Sequence, residues 1–144
     1  MIDNVEIILT IYDKSYILSV KGGGMRKFEV LFYEKKDGTQ PAKDFLLSLD
    51  KKMRAKMLST ISILADNGNE LREPYSKSLS DGIFELRARS GSDITRVLYF
   101  FYVDKHIILT NGFVKKTQKT PQEEIAKAKK YREDYVQRRE GSRK

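Results

Sequence analysis

The chain contains no cysteine and no tryptophan, one histidine and three prolines in 144 residues. Without cysteine, disulfides, zinc–thiolate sites and iron–sulfur clusters are excluded. No apolar stretch approaches the ~20 residues that a membrane-spanning helix needs. Met1-Ile2-Asp3-Asn4-Val5-Glu6 carries acids where a secretory leader would carry basic residues, so a cytoplasmic protein is expected. The single histidine, His106, sits at a turn and reads as structural or solvent-exposed. Asp, Glu and His nowhere group at ligand spacing, so neither a metal nor another cofactor is expected. Gly22-Gly23-Gly24 is not a phosphate loop, because no Lys-Ser/Thr and no helix follow it.

Positive charge is what the chain has in excess. Lys and Arg number 28 against 20 Asp and Glu, a formal net charge of +8. From Asn111 to Lys144, 11 basic residues face five acids, so this last quarter carries most of the surplus. Such an imbalance points to an anionic partner, nucleic acid or an acidic protein, against the plainer reading of a solvated basic helix.

The apolar pattern gives an α+β fold with the order β-α-α-β-β-β-α. Lys27–Tyr33 alternates and is rich in Phe and Val, as strands are. Pro41 suits a first helical position, and Phe45, Leu46 and Leu49 make a short apolar stripe. Asp50 is placed to cap a second helix with Met53, Met57, Ile61 and Leu64 at helical spacing, closed by Asn67-Gly68. A loop with Pro74 is expected next. Three strands follow at 83–89, 94–103 and 106–114, and their short connections imply antiparallel hairpins. Thr120-Pro121-Gln122-Glu123 has the capping-box arrangement of a last helix reaching about Arg139. The two early helices should cover one face of an antiparallel sheet and leave the other face open.

That open face should be cationic. In strand 83–89, Glu85, Arg87 and Arg89 share one face. Arg96 interrupts an apolar run on the next strand. A charge there must be paired, for instance with Glu85, or face a functional surface. Lys115-Lys116-Thr117-Gln118-Lys119-Thr120 follows the third strand. Convergence of Arg87, Arg96 and this loop would suit phosphate. It would also stabilise the charge that builds when an RNA strand is cleaved by its own 2′-hydroxyl. The residues alone leave a binding module and a nuclease equally open.

Three strings carry a family resemblance: Leu79 to Arg87 (LSDGIFELR), Thr95 to Phe100 (TRVLYF) and Asn111 to Pro121 (NGFVKKTQKTP). From Met25 to about Tyr135 the chain resembles the RelE/ParE superfamily of type II toxin–antitoxin toxins, nearest its HigB-like, phage-derived branch. The resemblance implies a RelE-like fold and a ribosome-dependent endonuclease that cleaves mRNA by metal-independent phosphate transesterification. It implies a cognate antitoxin, commonly a helix-turn-helix, HigA-like protein, and contact with mRNA and the ribosome. By position, Arg87, Arg96, Lys115 and Lys116 are the implied catalytic residues. Arg89, Gln118, Lys119, Lys77 and Tyr99 are the expected RNA contacts. Some relatives carry a tyrosine or histidine near the end of the site. None lies between Lys115 and Lys130 here, the next being Tyr131, so the residues leave the general base open: a lysine among cations could serve, its pKa lowered by its neighbours, and Lys77 is another candidate. A ParE-like protein that blocks DNA gyrase by binding, or a non-catalytic RNA-binding module, are the alternatives.

Nothing before Met25 resembles the family. Lys21-Gly22-Gly23 can be encoded by AAAGGAGG, a ribosome-binding sequence. Residues 1–24 are therefore expected to be an extension, upstream sequence read in frame, ahead of a toxin domain at 25–144. The competing reading pairs Val5–Ile11 with Tyr16–Val20 as a hairpin.

Overall fold

The structure, a computed structural model, describes residues 5–12, 15–22, 28–115 and 119–141, the first two stretches by their strand pairing alone. Seven strands and three helices follow the order β1 (Val5–Tyr12), β2 (Ser15–Gly22), β3 (Glu29–Phe32), α1 (Pro41–Ser48), α2 (Lys51–Asn67), β4 (Ser76–Ser80), β5 (Ile83–Ser90), β6 (Asp93–Tyr102), β7 (His106–Val114) and α3 (Gln122–Gly141). The strands make one sheet in the order β1-β2-β3-β7-β6-β5-β4. Five of them, β3 to β7, form a mixed sheet, and the antiparallel hairpin β1–β2 extends it through Ile17 opposite Leu31 and Leu18 opposite Val30.

Two expectations about the sheet need correction. It is not wholly antiparallel, because β3 runs parallel to β7, Val30 opposite Ile107. Tight turns fix the direction of hairpin neighbours only, and α1 and α2 stand between β3 and the rest. The segment after Pro74 is also not all loop. Ser76–Ser80 pairs with β5 as the edge strand, with a register shift between Ser78 and Ser80. Its one apolar residue, Leu79, gives no alternation to read, since an edge strand is held by backbone pairing.

The early helices form as their local signals dictate. Pro41 opens α1. The Asp50 carboxylate accepts the Met53 amide at 2.9 Å and caps α2, supplying an acceptor to an otherwise orphaned N–H. Gly68 ends α2 at φ +54°, with the Phe28 ring packed where a Cβ would stand. Met53, Met57, Ile61 and Leu64 are all buried against one face of the sheet, with Val30, Leu86, Val97, Tyr99, Ile107 and Leu109. The Phe45 ring lies over Gly112, in the space a Cβ would need.

The opposite face is only partly open. Ala128 and Tyr135 of α3 pack on Ile83, Leu98, Phe100 and Ile108. The helix starts level with the middle of β5 and β7, where Asn111 Nδ2 donates to Glu124 Oε1 at 3.0 Å. It then runs toward Phe100 and Tyr102, whose rings meet Tyr135 edge-on. A bulge at Thr110 shifts the β6–β7 register between Leu98 and Tyr99, which turns Asn111 toward the helix. Among the described residues no helix covers the sheet past the α3 N-terminus, and this is where the arginines stand. Among the described residues no helix is long and apolar enough to cross a membrane.

Candidate nucleic-acid interface

Strand alternation and register assemble the site. Lys77 stands opposite Glu85 across β4–β5, and Arg87 stands opposite Arg96 across β5–β6. Arg96 in turn pairs with Phe113 of β7. The Lys115 amide donates to the Ile94 carbonyl at 2.9 Å, carrying the ladder one step past β7. Side chains directly opposite share a face and those two residues apart do as well. Lys77, Arg87, Arg89, Arg96 and Lys115 therefore all belong to the α3 side of the sheet.

One carboxylate sits inside this group. Glu85 is 0 % exposed. Its Oε2 accepts from Arg87 Nε at 3.1 Å and lies 3.5 Å from Arg96 Nε. The Arg96 contact is an ion pair and not a hydrogen bond, since its buried Nε has no acceptor in bonding geometry among the described residues. Glu85 Oε1 accepts the Thr120 hydroxyl. Arg87 reaches outward as well, donating from Nη1 to Glu73 Oε1 at 3.2 Å. Five cations against two carboxylates leave a surplus of three positive charges. Arg96 is paired with Glu85 and, at 6 % exposure, lies almost wholly beneath the cationic surface that Lys77, Arg87, Arg89 and Lys115 form.

The electrostatics agree with this crowding. Burial first, then the charges of Arg96, Arg87 and Lys77, pull the Lys115 ammonium below its usual pKa, against the opposing pull of Glu85. Arg96 is shifted down too, chiefly by burial and then by Arg87 and Arg89, with Glu85 opposing. Where β5 runs on past β4, a cleft of about 400 Å³ opens between Arg87, Arg89, Arg96, the 74–75 loop and Lys56 and Thr60 of α2.

The cluster thus joins Lys77, Arg87, Arg89, Arg96 and Lys115. Lys119 is exposed just ahead of Thr120. Lys116 and Gln118 lie outside the described residues. Tyr99 does not join. It points to the α1–α2 face, 1 % exposed, and its hydroxyl bonds Ser76 Oγ at 2.6 Å. Its ring packs with Phe84 and Phe101 in the core and offers no surface to RNA. Thr120 also departs from expectation. The first turn of α3 bonds the Pro121 carbonyl, from Glu124 N at 3.1 Å, while the Thr120 hydroxyl goes to Glu85. Lys56 and Glu73 were not foreseen as neighbours of the arginines. Each lies on a separate element, with no spacing that links it to β5.

The family model for phage-derived protein Gp49-like (DUF891) matches residues 44–133, more than half of the chain. The chain belongs to this Gp49-like family. The Gp49-like span holds Lys56, Glu73, Lys77, Glu85, Arg87, Arg89, Arg96, Lys115 and Thr120, the whole of the cluster described above. No curated protein matches the chain.

Proposed function

We propose that this Gp49-like protein is the toxin of a type II toxin–antitoxin pair, an endoribonuclease that cleaves mRNA on the ribosome by metal-independent transesterification. The observation that carries the reading is the convergence of Lys77, Arg87, Arg96 and Lys115 on the end of the sheet beyond the α3 N-terminus, with a net positive surplus. Cations arranged in this way are suited to a phosphodiester whose charge grows in the transition state.

In this reading the 2′-hydroxyl oxygen attacks the adjacent phosphorus. The new 2′-O–P bond forms as the P–O5′ bond breaks, giving a 2′,3′-cyclic phosphate and a 5′-hydroxyl. Lys115, whose neutral amine is made accessible by burial and neighbouring cations, takes the 2′-proton. Arg96 and Arg87 stabilise the extra charge on the phosphate oxygens. The departing 5′-oxygen takes a proton from the Lys77 ammonium. Arg89 and Lys119 hold the flanking backbone of the RNA. A helix-turn-helix, HigA-like antitoxin is the expected neutralising partner.

Induced expression in cells, with 5′ ends of transcripts mapped, tests the reading. Cuts phased with codons and dependent on translation support it. Intact transcripts with DNA damage would replace it with a gyrase inhibitor. Intact transcripts and intact DNA would leave a binding module.

A further inference from the structure

We propose that Glu85 is a positioning residue whose buried carboxylate aims the guanidinium groups of Arg87 and Arg96 and ties their placement to the start of α3 through Thr120. The inference rests on the ribonuclease reading above and concerns a residue that touches no substrate.

The geometry is that of a hub. A fully buried carboxylate is expensive unless every oxygen is engaged. Here Oε2 faces Arg87 Nε at 3.1 Å and Arg96 Nε at 3.5 Å, and Oε1 accepts the Thr120 hydroxyl. A carboxylate that merely balanced a buried charge would need one arginine. This one stands between two that are paired across the β5–β6 ladder. The hydrogen bond to Arg87 Nε fixes the plane of that guanidinium, whose terminal fork is the part that grips phosphate, while Arg96 is held in place by charge at 3.5 Å. Thr120 supplies the link to α3. A residue with the sequence signature of a helix cap gives its hydroxyl to Glu85, while Glu124 one turn later is bonded to Asn111 of β7. The first turn of α3 and the two arginines therefore share one buried anchor. Glu85 also acts on Lys115, being the carboxylate that favours its charged form.

Glu85→Gln keeps the side-chain shape and removes the charge. The purified full chain is assayed for single-turnover cleavage of a translated mRNA across pH. Binding to a short RNA with a 2′-deoxy nucleotide, which cannot be cleaved at that position, is measured alongside. Cleavage should fall by ~10–100-fold, the scale expected when reacting groups lose their alignment. Affinity should stay equal or tighten, because the surplus of cations grows by one. The rise of rate with pH should move to lower pH, because Lys115 loses the carboxylate that holds its proton. Thr120→Val keeps the Glu85 charge and removes one donor. It should lower cleavage severalfold without moving the pH profile, and it decides the matter if Glu85→Gln does not fold. Folded variants with wild-type cleavage and unmoved pH profiles would overturn the inference and leave Glu85 a charge-balancing residue. A wild-type protein that leaves the mRNA intact would overturn the ribonuclease reading, and this inference with it.

Discussion

Arg87 and Arg96 stand opposite one another across the β5–β6 ladder, and the Glu85 carboxylate lies between their Nε atoms. Two like charges at that register repel unless something holds them. The sheet tolerates them because a buried anion sits between them and because the α3 N-terminus stops short of them. The same arrangement leaves a net positive surface at the end of the sheet.

Arg96→Ala should abolish cleavage by ~100–1,000-fold, the scale of losing one donor to developing charge. Arg96→Lys should recover little, since an ammonium cannot supply a planar fork. Arg96→Ala should also lower stability by about 1–3 kcal/mol, because Glu85 loses part of its pairing. Cleavage assays and thermal melts on the same preparations check both, and a folded, fully active Arg96→Ala would remove Arg96 from the site.

Lys115 sets the pH dependence. Its pKa lies below the ordinary lysine value of 10.5, so the neutral amine appears at lower pH than in a free lysine. The cleavage rate should rise with pH, and the midpoint of that rise should lie below 10.5. Lys115→Arg keeps the charge and cannot give up its proton at these pH values. It should bind RNA as the wild type does and cleave it at least ~100-fold more slowly. A rise whose midpoint is not below that pH, or an active Lys115→Arg, would assign the base elsewhere.

Tyr99→Phe should leave cleavage unchanged and lower stability by about 1–2 kcal/mol, by stripping the buried Ser76 hydroxyl of its partner. Denaturant melts read the second effect. Impaired RNA binding in a fully folded Tyr99→Phe would return this residue to the interface.

Acid should weaken the attachment of α3. The Tyr33 hydroxyl donates to Asp134 at 2.6 Å, and Arg138 grips the same carboxylate. Those bonds, Tyr33 first, hold the Asp134 pKa below its usual 3.8, while burial and Asp134 push Tyr33 up to about 12. A carboxylate with a depressed folded pKa stabilises the fold above its unfolded pKa and loses that contribution as pH falls through the folded value. Stability should therefore drop below about pH 4. In Asp134→Asn this part of the acid limb should flatten. An unchanged acid limb would mean that other carboxylates dominate it.

A chain beginning at Met25 should keep the five-strand sheet. Val30 and Phe32 of β3 are buried under α1 and α2, and β3 is paired to β7 over its whole length. Circular dichroism melts of the chain with and without residues 1–24 compare them. A shortened chain that fails to fold would show that the β1–β2 hairpin is part of the domain.

Where local chemistry decides, sequence and structure agree. Asp50, Pro41 and Asn67-Gly68 mark helix ends through bonds and dihedrals made within a few residues. The β5–β6–β7 hairpins follow from turns too short for any other connection. The parallel β3–β7 pair depends on how two helices cross a face, and no turn encodes that. The Ser76–Ser80 edge strand is held by backbone pairing and so leaves no pattern in its side chains. In the site, alternation placed Arg87 and Arg89 together and made Arg96 conspicuous as a charge among apolar residues. Thr120 misled because its neighbours Pro121 and Glu123 fit a cap equally well, and only the fold brings Glu85 within reach. Tyr99 misled because one residue's shift along β6 exchanges the cationic face for the core.

The central claim is that these cations promote attack by the RNA's own 2′-hydroxyl. The most direct test uses a translated mRNA in which the nucleotide 5′ to a mapped cut carries a 2′-deoxy sugar. Purified protein should cut the all-ribose message to a 2′,3′-cyclic phosphate and a 5′-hydroxyl and leave the substituted position intact. Cleavage at the 2′-deoxy position would contradict it, because the attacking oxygen would have to come from somewhere other than the RNA.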